Sequence, residues 1–352
     1  MKIMNKYLLT TATALLALTV MNSCHKDNDT IAEKSFTQVN LVASNSTYPG
    51  ARVDPNLING WGMAWGPTGN AWISAEGTGV SVIYDKTGAE MLAPVSIPSP
   101  TASTGGTPTG QVYNGSADFI LPGGSPAKFI FAGTDGVISA WNGGSAAVRM
   151  VDRSAISVYL GLALAANGTN NYLYAADFKT GKIDVFDKNF SYISMPFMDP
   201  TLPVGYSPFN IQNIGGQLYV MYAKVDETTG DETKGAGLGY VDIYNPDGSF
   251  VKRFVSQGAL NAPWGIAQAP AGFKDNSGSV ILIGNFGDGW INAYDATGKS
   301  LGSLKSNGYP IAIEGLWGIS FAPASATGVD PNWLFFAAGP SDETQGLFGY
   351  IK

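Results

Sequence analysis

Short runs that alternate between apolar and polar side chains recur along this chain, as in Val80-Ser81-Val82-Ile83-Tyr84. A period of two places the apolar set on one face, the pattern of a half-buried strand. Similar runs cover Val137–Trp141, Ile183–Phe186, Val241–Tyr244 and Ile291–Tyr294. Each ends on an aromatic residue followed by Asp or Asn: Tyr84-Asp85-Lys86-Thr87-Gly88, Trp141-Asn142-Gly143-Gly144, Phe186-Asp187-Lys188-Asn189, Tyr244-Asn245-Pro246-Asp247-Gly248 and Tyr294-Asp295-Ala296-Thr297-Gly298. These predict hairpin turns, because Asp or Asn bonds its own backbone and Gly takes the positive-φ position; the third copy lacks the Gly.

Ahead of each alternating run lies a more apolar strand: Ala71–Ala75, Phe129–Ala132, Tyr172–Ala176, Leu218–Tyr222, Val280–Gly284 and, in a sixth unit, Leu334–Ala338. A strand rich in small residues opens each unit: Trp61–Trp65, Ser116–Leu121, Leu160–Ala163, Phe209–Ile214, Trp264–Ala267 and Trp317–Ser320. The six openings stand roughly 45 to 55 residues apart, close to the ~40–50 of a four-stranded propeller blade. The expectation is an all-β, six-bladed β-propeller of four-stranded antiparallel blades, one domain over 36–352, with small residues where the innermost strands meet at a narrow axis. The sixth unit reaches Leu347–Ile351 with three strands. Phe36–Val42 is the expected donor of the fourth, which would pair two sheet edges at once.

Residues 1–23 read as a lipoprotein signal peptide. Lys2 and Lys6 precede an uncharged run, Tyr7–Val20, that falls short of the roughly 20 residues a membrane span needs. Met21-Asn22-Ser23-Cys24 resembles a lipobox, so Cys24 is the expected lipidation site and the bilayer an expected partner. Residues 24–35 form a polar tether whose acidic stretch resembles a surface-export signal of Bacteroidetes lipoproteins. The expected location is a bacterial cell envelope, on the periplasmic or outer side of the outer membrane. The formal charge of −7 argues against nucleic acid as a partner. A monomer is expected.

In an up-and-down blade, the link into the first strand and the link between strands two and three share one face. That face should gather Asn59, Trp61, Glu76, Asp135, Asp177, Asn210, Asn261, Trp264, Asn285, Asp288, Glu314 and Trp317, with the long insertion Lys224–Gly239 projecting beside them. Loops held by a rigid scaffold are where ligands bind. Asp177 and Asp288 suit caps of their own turns, the three Trp suit wedges between blades more than a platform for sugar rings, and Glu314 equally suits a solvated or lysine-paired carboxylate. Oxygen-only groups suit Ca²⁺ or another divalent cation, and no other cofactor is indicated.

His25 is the one histidine and lies in the tether, so the propeller can build neither a Ser-His-Asp triad nor a histidine-ligated metal site. Gly298-Lys299-Ser300-Leu301-Gly302 matches a nucleophile-elbow pattern but lies in a hairpin rather than at a strand-to-helix turn.

Seven segments together resemble an uncharacterised family of exported propellers first noted with PEP-CTERM proteins and related to NHL repeats. They are 54–62, 107–114, 129–136, 207–212, 260–265, 284–289 and 315–318, including Asn59-Gly60-Trp61-Gly62, Asn261-Ala262-Pro263-Trp264-Gly265 and Gly315-Leu316-Trp317-Gly318. The resemblance implies a propeller and export, and carries no activity. Two functions compete. The leading one is a non-catalytic binding module for a glycan, peptide or envelope partner through the loop face. The alternative is a metal-dependent hydrolase, lactonase or lyase, with Glu314, Asn59, Asn210 and Asn261 holding the metal and Asp177 or Glu314 as catalytic candidates.

Overall fold

The computed structural model describes residues 31–49, 51–273 and 279–352. The expected signal peptide, Cys24, His25 and most of the tether lie outside the described residues. Six antiparallel sheets form the blades of a β-propeller. Blade 1 comprises Gly60–Trp65, Ala71–Ala75, Val80–Tyr84 and Glu90–Ser96; blade 2, Pro108–Tyr113, Phe129–Gly133, Val137–Trp141 and Val148–Asp152. Blade 3 comprises Tyr159–Asn167, Asn170–Asp177, Lys182–Phe186 and Tyr192–Ile193; blade 4, Tyr206–Ile214, Gln217–Val225, Tyr240–Tyr244 and Phe250–Ser256. Blade 5 comprises Pro263–Gln268, Val280–Asn285, Ile291–Asp295 and Ser300–Ser303; blade 6, Leu316–Phe321, Leu334–Ala338, Leu347–Ile351 and the early strand Gln38–Ala43.

That early strand runs antiparallel to Leu347–Ile351, from Gln38 opposite Ile351 to Ala43 opposite Leu347. Phe36, which the alternation placed inside it, lies just before, buried against Phe273 at 5.5 Å between ring centroids. Arg52–Val53 adds a short parallel strand outside.

The turn chemistry works as the sequence implies. Asp85 accepts N–H bonds from Thr87 and Ala89, and Gly88 sits at φ 81°. In the turn that lacks Gly, Phe190 takes the positive-φ place at 62°, a strained position stabilised by burial of its ring. Small residues line the axis for a steric reason. A Cβ on Gly110 would sit 2.3 Å from the backbone nitrogen of Leu162 in the next blade, so that approach requires glycine.

The opening strand of blade 2 differs from expectation: it is Pro108–Tyr113, whereas Ser116–Leu121 is a loop. Asn114 causes the difference, since its side-chain amide donates to the carbonyls of Asp118 and Ala127 and folds the segment back. Phe119, at φ 61°, then buries its ring fully. An apolar segment outside a sheet thus imitates a strand, because its alternation comes from one anchored aromatic.

The third strands each carry an interior polar residue that is buried, namely Ser81, Ser139, Asp184, Asp242 and Asn292. Charged members are paired: Asp184 faces Arg153 at 3.0 Å and accepts the Tyr159 hydroxyl at 2.7 Å, while Asp242 and Asp199 flank Arg253. A buried charge without such partners would be strongly unfavourable.

Candidate functional site

The loop face closes over the axis with stacked rings. Trp317 lies between Trp61, at 3.5 Å and 15°, and Phe286, at 3.8 Å and 17°, while Trp264 meets Trp61 and Trp317 edge-on. The three Trp side chains are 1–5% exposed, so they form a plug in which blades 1, 5 and 6 interlock. Trp264 donates its indole N–H to the Leu160 carbonyl at 3.1 Å, tying in blade 3.

Asn59 organises the surface above the plug. It takes φ 50°, a left-handed conformation that Asn tolerates better than most residues. Its amide oxygen accepts the Trp317 indole N–H at 3.0 Å, and its amide nitrogen donates to Glu76 at 3.2 Å and Glu343 at 2.7 Å. The fit depends on glycine, because a Cβ at Gly339 would lie 2.1 Å from the Asn59 amide oxygen. One amide therefore joins the link entering blade 1, the second link of blade 1 and the second link of blade 6.

Glu343 arrives there on a strained segment. Ser341, Asp342 and Glu343 take φ values of 57°, 48° and 64° in succession, three consecutive left-handed residues without a glycine. Each such residue costs about 1 kcal/mol or more, and strain of this kind concentrates at functional sites. Glu314 holds the turn, accepting the Ser341 N–H at 3.0 Å.

Between the plug and the insertion of blade 4 lies a cavity of about 470 Å³, walled by Trp61, Val158, Leu160, Phe178 and Trp317 and edged by Thr134, Glu76, Glu343 and Gly230–Glu232. Five of the six blades contribute to it. Burial shifts three of its edge carboxyls, Glu76, Glu232 and Glu343. Burial pushes Glu232 up to about 7, with Glu343 adding to the rise. Burial also raises Glu343, which Glu76 reinforces, and raises Glu76, which Asp135 reinforces; the Asn59 hydrogen bonds oppose both shifts. Asp135, raised chiefly by burial, keeps one oxygen buried without a partner.

The structure brings only some of the expected residues to this cavity. Asn59, Trp61, Glu76 and Trp317 meet there, with Asp135 next to Thr134 on its edge. Asn261, Asn285 and Asp288 form a separate cluster that closes the link between blades 4 and 5: Asn261 donates to Asp288 at 3.1 Å, and Asn285 accepts the Asn261 N–H at 3.1 Å. Asn210 is buried and donates to the Trp264 carbonyl at 2.7 Å. Asp177 is fully buried; one oxygen accepts the Val158 and Thr180 N–H groups, and the other has no partner. It thus acts as a cap for its own turn.

The expected metal set of Glu314, Asn59, Asn210 and Asn261 is employed otherwise. Glu314 is exposed and caps Ser341, while the amide oxygens of Asn59, Asn210 and Asn261 already accept the N–H groups of Trp317, Ile211 and Gly235. Among the described residues, no three His, Cys, Asp or Glu side chains are grouped to hold a metal ion. The carboxylates that do converge include Glu343 and Glu232. Glu343 lies in the second link of blade 6, the link type that yielded Glu76 and Asp135, and Glu232 lies in the noted insertion.

No protein-family model matches the chain. Two proteins of Acanthamoeba polyphaga mimivirus match most of it: uncharacterized protein R648, 36% identical over 89% of this chain and 80% of its own length, and uncharacterized protein L690, 35% identical over 89% and 85%. The chain belongs to their family. Its matched members are viral, and they do not bear on the expected lipid anchor, bacterial envelope or likeness to exported propellers. Solved structures that share the family's fold include virginiamycin B lyase from Staphylococcus aureus, with a TM-score of 0.51 at 12% identity over 90% of this chain and 99% of that one. A Bacteroides thetaiotaomicron protein of unknown function has a TM-score of 0.56 at 9% identity, over 90% and 76%. At such identities the likeness concerns the fold alone.

Proposed function

We propose that the protein is a binding module whose loop-face cavity takes a ligand. The observation that carries this reading is the cavity itself, in which five blades set an aromatic floor beneath a carboxylate rim. Apolar walls with a few convergent polar groups are the usual make-up of a ligand pocket. The left-handed turn at Ser341–Glu343 supports it, since the fold tolerates strain there to hold a carboxylate at the opening. A melting-temperature screen of the whole chain against oligosaccharides, peptides and small polar metabolites tests it. Saturation to about 100 times Kd adds about 2.7 kcal/mol to stability, so a binder shifts the transition visibly, and Glu343→Gln should reduce that shift. A panel in which nothing moves the transition sinks the reading.

The alternative, a hydrolase or lyase, has one observation of its own. Glu232, titrating near 7, has the property required of a general acid or base at neutral pH. Including Ca²⁺, Mg²⁺, Mn²⁺ and Zn²⁺ in the same screen separates the two: stabilisation by a divalent ion favours the metal-dependent enzyme, and indifference to all four removes it.

A further inference from the structure

We infer that the cavity's ligand carries an alkylammonium or guanidinium head on an apolar stem. This rests on the binding reading above and adds the chemical class. The rim supplies Glu76, Asp231, Glu232 and Glu343 against the single ammonium of Lys234 nearby, so an anion is disfavoured. A neutral ligand would leave the half-buried Glu76, Glu232 and Glu343 with that one cation among them, a shortfall that a cationic ligand relieves. The floor is apolar, with Val158, Leu160, Phe178 and the two Trp side chains suited to methylene groups.

A contact already present points the same way. Lys234, from the blade 4 insertion, holds its ammonium 4.2 Å from the centroid of the Phe286 ring, and its charge lowers both Glu232 and Glu343. An ammonium is therefore a group this edge accommodates.

The shared chemistry can come from a basic residue of a peptide or from a free amine. Calorimetric titration of the whole chain with Nα-acetyl-lysine methylamide, Nα-acetyl-arginine methylamide, cadaverine and the neutral Nα-acetyl-norleucine methylamide distinguishes the sources. The expected result is that a cationic probe binds at least about tenfold tighter than the norleucine compound, and that the preference shrinks as salt rises from ~50 to ~500 mM. The acetylated residues should exceed cadaverine if the ligand is a peptide side chain, and cadaverine should prevail if it is a free amine. Glu343→Gln and Glu232→Gln should each weaken the cation by about tenfold and leave the norleucine compound unchanged, while Lys234→Met should tighten the cation. Equal affinity for cationic and neutral probes in the unmodified protein, which requires no variant to fold, overturns the inference. A neutral oligosaccharide that binds the cavity while no cation does would overturn it and leave the binding reading standing; a protein that binds nothing sinks both.

Discussion

The two ends of the channel are made from the same six innermost strands, yet only one of them is charged. On the loop face, carboxylates from blades 1, 4 and 6 surround a cavity above the Trp plug. At the other end, a cavity of about 270 Å³ is lined by Met63, Gln212, Asn213, Ile266, Gln268 and Phe321 among others, with no ionisable side chain. The links account for the difference. Those at the uncharged end include tight hairpins such as Gly168 and Gly215-Gly216, at φ 62°, 61° and 86°, too short to send a side chain over the axis. Those on the loop face include segments 226–239 and 339–346, long enough to fold back across it. In a propeller the strands decide the shape of the channel, and the links that fold back over the axis decide which end acquires chemistry, since the long links 114–128 and 322–333 at the uncharged end add nothing to the cavity there.

Three substitutions on the loop face, and one control at the uncharged end, test that contrast. The largest effect is expected for Trp317→Ala, which empties the centre of the plug and leaves the Asn59 amide oxygen without its indole donor. A loss of about 3–5 kcal/mol in urea denaturation is expected, against about 0.5 kcal/mol or less for Gln212→Ala at the uncharged end. Equal losses would remove the claim that only the loop-face end is structurally keyed.

Asn59→Asp should come next, because it replaces the donor shared by Glu76 and Glu343 with a third carboxylate. A destabilisation of about 1–3 kcal/mol is expected near neutral pH. It should shrink in acid, where the raised Glu76 and Glu343 carboxyls protonate and the repulsion fades. A deficit that is constant with pH would show that the amide's role is packing alone.

The smallest effect concerns Glu232. Its folded value of about 7 lies above the ordinary 4.5, so between these limits the folded protein retains a proton that the unfolded chain has released. Stability is therefore lost as pH rises through this window. Glu232→Gln should flatten the decline in stability from about pH 5 to 7, by about 1 kcal/mol after screening. An unchanged slope would place Glu232 in water rather than at the cavity edge.

Most of the fold could be read before any coordinates, because its determinants are local. Asp85 and Asp295 bond backbone groups two and four residues on, and such turns recur with the blades. The loop at Ser116–Leu121 reads as a strand because what organises it, the Asn114 amide reaching Ala127, spans thirteen residues and leaves no periodic trace. The site was legible in part for the same reason. Glu76 follows from link position alone, whereas the meeting of Asn59 with Glu343, 284 residues apart, arises only from closure of the ring. Glu343 leaves no mark in the sequence, because neither residue type nor spacing discloses the left-handed turn that projects it and that Glu314 caps.

The pairing of Gln38–Ala43 with Leu347–Ile351 also governs the order of events during synthesis. An early strand must wait for almost the entire chain to emerge before its partner exists. Until then the nascent protein is an open arc with an exposed strand edge at either end, competent to pair with a neighbour on the same polysome. Joining the arc's ends is the most non-local step in the fold, which makes it the natural candidate for the slow one.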